Sequence, residues 1–377
     1  MTETNMKIAI EAYADAMCGE VLLFNERLKN GGVRYCFPAS PVPAWLPKTA
    51  GCSLFQEMFL AVDQNAHVHG GYLLKHHESW IGGRMVSIAD LQLPLSESTI
   101  SRAYALVGPH LLLDALKRQP LLYGLGVGGH REPLARLLRA AGWKLEAVPF
   151  FFRVVRPFRF LRNIGYLRNS TIRRVVCDLL AFSGLGWLGI AGIQALRTRR
   201  PQGNESAVAE TIDEFGDWAT TLWNAHKQNY GMASLRDAET LQILYPRAAA
   251  KFIRIRVVSR GETIGWAVLL NTQHSEHSHF GGVRLGSIID CFAPPCFAGV
   301  VIARATRTLE ELGVDLIVSN QSHAAWGAAL AVNGYMRGPS NFILCTSKEL
   351  TKLMADARIN LANVHLNRGD GDGPINL

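Results

Sequence analysis

Three consecutive runs near the start of the chain set apolar residues between polar or charged ends: "EMFLAVD" (Glu57–Asp63), "HVHGGYLLKHH" (His67–His77) and "RMVSIADLQL" (Arg84–Leu93). Short apolar runs of this length predict strands, and the short gaps between them predict a meander. Pro94 ends the third run, because a proline has no N–H to give to a sheet. The spacing then changes. "STISRAYALVGPHLLLDALK" (Ser98–Lys117) carries apolar residues three and four apart after a Ser/Thr start, which predicts a helix, broken or kinked at Gly108-Pro109. "PLLYGLGV" (Pro120–Val127) predicts a short buried strand, "REPLARLLRAAGW" (Arg131–Trp143) a helix closed by Gly142, and "KLEAVPFFFRVV" (Lys144–Val155) a final strand.

The second half repeats this order. "AKFIRIRVV" and "TIGWAVLLN" predict a hairpin around "SRGE", and "RLGSIIDCFA" (Arg284–Ala293) a third strand. A helix follows in "AGVVIARATRTLEELG" (Ala298–Gly313), a buried strand in "DLIVSN", a helix in "HAAWGAALAVNGY" (His323–Tyr335), and a closing strand in "NFILCTS" (Asn341–Ser347). A helical stretch from Asp213 to Arg247 precedes the hairpin. Arg84, Ser87, Ile88, Asp90 and Pro94 recur as Arg284, Ser287, Ile288, Asp290 and Pro294, an offset of 284 − 84 = 200. Gly142-Trp143 and Gly334-Tyr335 form a second pair of matching anchors. The period is far too long for a solenoid and predicts two copies of one α/β domain.

With 48% hydrophobic residues in 377, each half can bury its own core. Seven cysteines at irregular spacing form neither a disulfide framework nor a paired zinc pattern. The opening "MTETNMKIAIEAYADAM" lacks the basic region and apolar run of a signal peptide, and this predicts a cytoplasmic protein with reduced thiols. The net charge of +8 is unevenly spread: Arg153–Arg200 holds ten arginines and one acid, Asp178. The charge belongs to this middle segment, so no nucleic-acid partner is expected for the whole chain.

The element order, with a short helix ending in Gly-aromatic, resembles the GNAT acyltransferase superfamily. "SNQSHAAWGAALAVNGY" (Ser319–Tyr335) is the stretch most similar to that family's strand-to-helix segment. Two such domains in one chain resemble tandem GNAT proteins, including the FemAB-like group. "ADLQLPLSE", "LRAAGWKLEAVPFFFRV" and "GPSNFIL" also resemble acyltransferases of bacterial exopolysaccharide systems. The resemblance implies an α/β fold of two tandem GNAT-like domains, each a mixed, mostly antiparallel sheet flanked by helices. The expected boundaries are 1–157 for the first domain, 158–205 for a basic, apolar helical linker, 206–350 for the second domain and 351–377 for a tail. It also implies acetyl-CoA or another acyl-CoA as co-substrate, without a metal, and an amine acceptor, for which an amino sugar is a candidate.

The family carries R/Q-x-x-G-x-G/A after its fourth strand, where backbone N–H groups and a helix start hold the pyrophosphate. The corresponding segments here, "PLSESTISRAYA" and "PPCFAGVVIARA", lack the glycine pair. The second keeps Ala298-Gly299 before a basic helix, so Ala298, Gly299, Val300 and Asn320 are the expected cofactor residues; the first offers Ser96, Ser98 and Thr99 at a helix start.

Acyl transfer to an amine needs a neutral amine, a polarised thioester carbonyl and a proton for the leaving thiolate. Asp90 and Asp290 sit inside third strands, where a carboxylate could take the amine's proton or bond backbone groups at a splayed strand end. Ser319 and His323 flank the strand-to-helix opening beside the expected cofactor slot, with capping as His323's alternative role. The resemblance implies a general acid at Tyr335, against which stands a packing role for the Gly-aromatic position. The expected catalytic set is therefore Asp290, His323, Ser319 and Tyr335. His274, His277 and His279 fall in a polar hairpin loop without a second ligand set and predict no metal site. "GLGVGG" (Gly124–Gly129) fits G-x-G-x-x-G between a strand and a helix, yet its second-half counterpart "IVSNQS" has no such glycines, which favours a glycine-rich turn over a dinucleotide site. "RGDGDG" (Arg368–Gly373) reads as flexible tail.

Val175–Leu196 is apolar except for Asp178 and Gln194 and has arginines on both sides. It is long enough to span a bilayer, but its glycines and Asp178 argue against that. A helical hairpin between domains is one alternative. A basic, aromatic helix lying on anionic lipid is the favoured one, making the protein peripheral at the inner membrane. Together these features predict an acyl-CoA-dependent N-acyltransferase, with exopolysaccharide assembly as the candidate setting that the resemblance implies. A non-catalytic, membrane-recruited scaffold and FemAB-like aminoacyl transfer stand as alternatives.

Overall fold

The computed structural model describes residues 7–197, 206–274 and 280–371. The chain divides into two compact units, residues 1–147 with 341–359, and 148–340 with 360–377.

The first unit begins with strand β1 (Ala9–Ala12), helix α1 (Cys18–Asn30) and the expected meander β2 (Phe55–Val62), β3 (Val68–Ile81) and β4 (Arg84–Ser96). Helix α2 (Val107–Arg118), strand β5 (Leu122–Leu125), helix α3 (Pro133–Ala140) and strand β6 (Lys144–Ala147) follow. Gly108-Pro109 lies in the first turn of α2 rather than kinking a longer helix, and Glu97–Thr99 and Arg102–Tyr104 form short 3-10 turns before it. A proline is tolerated in a first turn, whose N–H groups have no partner within the helix.

In the second unit come β7 (Phe150–Val154), α4 (Pro157–Asn163), α5 (Thr171–Phe182), α6 (Leu185–Arg197), β8 (Ala207–Ile212), α7 (Asp217–His226), β9 (Met232–Ser234) and α8 (Ala238–Leu244). Its meander is β10 (Ile253–Ser259), β11 (Glu262–Gln273) and β12 (Arg284–Phe292), followed by α9 (Ala298–Glu311), β13 (Leu316–Asn320), α10 (Ala324–Val332) and β14 (Met336–Gly338). The β10–β11 turn places Arg260 and Gly261 at φ 52° and 83°, the left-handed pair that a two-residue hairpin requires. Then β15 (Ile343–Thr346) and α11 (Lys348–Asp356) belong to the first unit, and β16 (Val364–His365) to the second.

The two sheets follow one plan. The first runs β1-β2-β3-β4-β5-β15-β6, and the second β14-β7-β13-β12-β11-β10-β8. Along these two paths neighbours are antiparallel except β4–β5 and β12–β13, which are parallel; β16 pairs β9 in parallel off the path. Asp90 and Asp290 are each buried on the third meander strand, but Asp90 is still paired with Tyr123 of the parallel strand, whereas Asp290 lies past the last β12–β13 pair.

The closing strands differ from expectation. "KLEAVPFFFRVV" is two strands, not one: β6 pairs with β15, whereas β7 pairs with β13 and β14. Pro149 separates them, since its ring leaves no N–H for a ladder. "NFILCTS" therefore closes the first sheet, between β5 and β6, and the strand from the end of the first repeat completes the second sheet. For this reason the units do not end at 157 and 350. The segment 158–197, read as a linker, folds into the second unit: Phe160, Leu161, Ile164 and Ala181 join Val154, Leu285, Leu316 and Val318 in one core cluster. In the first unit two clusters cover the two faces of the sheet, one under α2 and α3, the other under α1.

Candidate active site

The place to look is the fork at which each parallel strand pair separates, because parting strands expose backbone and open a crevice beside a helix start. In the second unit the pairing of β12 with β13 ends at Ile288–Ser319. Beyond that point the fork is filled by the chain's own residues 364–370. The Ser322 N–H donates to the Leu366 carbonyl at 3.1 Å, and the Leu366 N–H to Ser322 Oγ at 2.9 Å. Gln321 bridges to Asn367, and β16 pairs with β9. On the other prong, His365 Nε2 donates to the Cys291 carbonyl at 2.7 Å. Burial lowers the His365 pKa to about 3, with the nearby Arg236 cation adding to this, so the ring is neutral and donates from Nε2.

A charged network anchors this insertion. Arg236 Nε donates to Asp290 Oδ1 at 3.0 Å, and Arg236 Nη2 to both oxygens of Asp370 at 2.9 Å. Asp290 also accepts from Tyr245 OH and from Asn367 Nδ2, each at 2.8 Å. Burial raises the Asp290 pKa, the Arg236 cation pulls it back, and neighbouring Asp370 raises it again. In Asp370 burial also acts upward, but the Arg236 cation and the Asn367 N–H win, and its pKa falls. One guanidinium thus serves two carboxylates, and Asp370 holds the larger share.

The expected site residues fall around this filled fork. Ser319 Oγ donates to the Ile288 carbonyl at 3.1 Å, and Asn320 Nδ2 to the Pro149 carbonyl at 3.5 Å. His323 caps α10 by accepting from the Ala325 N–H at 3.2 Å, and burial lowers its pKa. Ala298 and Val300 are buried at the start of α9, and the Gly299 carbonyl accepts from Asn333 Nδ2. Tyr335 lies apart from the fork, its hydroxyl paired with Thr306 Oγ1 at 2.8 Å and its pKa raised by burial. Asp290, Ser319, Asn320 and His323 are therefore near one another, but each is engaged in a structural contact. "RGDGDG" is not a loose tail as far as Gly371: Arg368–Asp370 is a 3-10 turn capped by Asn367, and Asp370 is buried.

In the first unit β4 and β5 pair at Ala89–Leu122 and Asp90–Tyr123, and among the described residues no strand lies between them beyond that point. Beside the β4 prong of this fork, under α2 and α3, lies a cleft of about 210 Å³. Leu91, Pro94 and Ser96 line it from β4, Ser98 from the approach to α2, Gly108 from the first turn of α2, and Leu137 from α3. A second cavity of about 560 Å³ continues between α2 and α3, sharing Pro109, Leu112 and Leu137 with the first. A β-bulge between Gln92 and Leu95 leaves Leu93 out of the ladder at φ 45°. Bulges of this kind re-aim a strand end and gather beside active sites.

On the opposite face of this fork lies a buried polar row. Gln56 Nε2 donates to Gln92 Oε1 at 2.5 Å, Gln92 Nε2 to Asp90 Oδ2 at 2.9 Å, and Lys75 stands opposite Asp90 in the β3–β4 register. At the cleft's mouth His69 Nδ1 meets Glu97 Oε2 at 2.7 Å and His69 Nε2 meets Asp63 Oδ2 at 3.3 Å, while Arg27 Nε donates to Glu97 Oε1. Burial alone would lower the His69 pKa, but hydrogen bonds to Glu97 and Asp63 raise it. Burial would raise Glu97, yet His69 and Arg27 lower it. The Glu97 clamp fixes the residue between Ser96 and Ser98, both of which line the cleft. Sequence reading passed over Arg236 and His69, because nothing local distinguishes an arginine or histidine destined for burial.

The glycine-rich turn after β5 holds Gly126, Gly128 and Gly129 at φ 75°, 81° and 137°, which accounts for its composition without a nucleotide. Among the described residues no cluster of His, Cys, Asp or Glu could hold a metal; His277 and His279 lie outside those residues. No single described helix is long and apolar enough to cross a membrane.

No family model matches the chain, and a search of curated proteins found no relative. Solved structures do match. A GCN5-related N-acetyltransferase from Anabaena variabilis aligns at TM-score 0.51 with 9% identity, over 90% of this chain and 72% of that one. A protein of Enterococcus faecalis described as a probable N-acyltransferase aligns at TM-score 0.50 with 7% identity, over 93% of this chain and 74% of that one. A tandem GNAT protein of clavulanic acid biosynthesis aligns at TM-score 0.43 with 12% identity, over 90% of this chain and 98% of that one. At these identities the likeness is one of fold alone: α/β architecture with two sheets flanked by helices.

Proposed function

We propose that the protein is an acyl-CoA-dependent N-acyltransferase whose working cofactor slot is in the first unit. The observation that carries this reading is the contrast between the forks. One has a cleft beside it at a helix start, and the other is filled by residues 364–370. Ser96, Ser98 and Thr99, whose hydroxyls now bond one another and the Ser96 carbonyl, would turn to a pyrophosphate near the first turn of α2, where the helix dipole favours an anion. Arg102 stands just before that turn. The cavity between α2 and α3 is apolar and suits a pantetheine arm or an acyl chain.

The bulge takes Leu93 out of the ladder, and its N–H is the group assigned to polarise the thioester carbonyl, an oxyanion-type contact. Asp90, on the other face, is the group to receive the amine and take its proton as the amine attacks. Amine nitrogen and thioester carbon form the new bond, and the thiolate leaves with a proton. The acceptor is an amine, and an amino sugar of the sort used in exopolysaccharide assembly is the class that the sequence resemblance suggests. The second unit then supports the first without binding a cofactor.

Calorimetric titration of the full chain with acetyl-CoA tests the reading. Ala105→Glu sets a carboxylate at the exposed start of α2 and is expected to weaken binding about tenfold through like-charge repulsion. Cys296→Glu, at the exposed start of α9, serves as the second-unit counterpart and is expected to change nothing. The opposite pattern moves the site to the second unit, and absence of binding by the wild-type chain favours a scaffold.

A further inference from the structure

The helices α4–α6 are apolar on two sides. Their inner side is committed to the second unit's core through Phe160, Leu161, Ile164 and Ala181. Their outer side is nonetheless rich in large apolar groups: Ile172 is 78% exposed, Leu179 64%, Phe182 69%, Leu185 62% and Trp187 55%. A soluble surface rarely carries such a run, and a contiguous apolar face calls for a partner.

Charge identifies that partner. Arg159, Arg162, Arg173 and Arg174 are all exposed beside this face. The one acid of the segment, Asp178, is already bound by Arg168 at 2.5 Å and by Arg162 at 3.2 Å. A second copy of the chain would bring the same arginines face to face in a two-fold contact, because such an interface is self-complementary only where its charges are. A partner of opposite charge with an apolar interior has no such conflict. The two helices do not form a straight span: α5 and α6 together have its length and composition but meet at an 80° bend.

We infer that α5 and α6 dock in the plane of an anionic lipid surface, with Leu179, Phe182, Leu185 and Trp187 around the bend entering the acyl region and the arginines at headgroup level. This does not rest on acyl transfer and would hold for a scaffold as well.

Co-sedimentation of the full chain with vesicles of phosphatidylcholine, with and without phosphatidylglycerol, tests it. The expected result is recovery with the anionic vesicles, falling as salt is raised, and little with neutral ones. Arg159→Gln, Arg173→Gln and Arg174→Gln combined should lower partitioning by on the order of a hundredfold. Phe182→Ser with Leu185→Ser should do so at any salt. All five sites are exposed, so thermal melting should be unchanged and loss of fold can be told apart from loss of docking. Equal recovery with neutral vesicles, or none with anionic ones, overturns the inference. A dimer in solution that Phe182→Ser and Leu185→Ser dissolve would show a second copy as the partner instead.

Discussion

Replacing Arg236 with Met keeps most of its volume and removes the cation between Asp290 and Asp370. Both carboxylates are within the core, 1% and 5% exposed, and Arg236 is itself 1% exposed. Asp290 would keep Tyr245 and Asn367 as donors, and Asp370 the Asn367 N–H, but neither would keep a counter-charge. Breaking a buried pair by removing one partner costs about 3–5 kcal/mol, because the other charge is left in a poor solvent. For a unit of this size that is a fall of roughly 10 °C in the melting midpoint. Trp223, Trp266 and Trp326 are all fully buried in the same unit, so tryptophan fluorescence during urea unfolding reports the loss directly. Asp290→Asn is the informative companion. It removes one of two anions sharing one cation, and the new amide can donate to Tyr245 OH, which turns to accept. Its cost should stay below about 1.5 kcal/mol. Because the folded Asp290 pKa is raised, the acid's contribution is fully present below its unfolded pKa and lost as pH rises through the folded value. Asp290→Asn should therefore gain on wild type as the pH is raised from acid toward neutral. An Arg236→Met protein within about 1 kcal/mol of wild type would refute the view that this network holds the C-terminal segment in the fork.

Asp90→Asn should lower kcat by about a hundredfold or more and leave acetyl-CoA binding by calorimetry nearly unchanged, because Asp90 is on the face away from the cleft. His69→Gln should flatten the alkaline limb of the stability–pH curve. The raised His69 pKa gives stability that is full below about 6.5 and lost as pH rises through the folded value, while the lowered Glu97 pKa gives stability lost only as pH falls below its ordinary 4.5. Thermal melts across that range check it, and a parallel shift at every pH would contradict it. Gly71→Val should destabilise the first unit by about 1–3 kcal/mol, since a Cβ there would meet the Phe37 ring at 2.8 Å and the Phe59 carbonyl at 2.9 Å. Denaturant midpoints measure this cost.

The sequence by itself determined the repeat. The short apolar runs of the two meanders, the 200-residue offset and the turn glycines are local or periodic signals, and local chain stiffness and burial act on short windows. They placed Asp90 and Asp290 on equivalent strands and indicated tandem α/β domains. Tertiary structure alone decided which strand closes which sheet. "FFFRV" and "NFILCTS" are each apolar enough to fit either edge, and pairing between distant segments leaves no mark in a short window. It also decided which fork stays open. Val364–Asp370 looks like a polar tail, and its capacity to seal the second fork depends on Arg236, more than a hundred residues earlier, supplying the buried charge that Asp370 needs. A buried ion pair is worth forming only where both partners are desolvated together, and that condition belongs to the fold rather than to either stretch of chain.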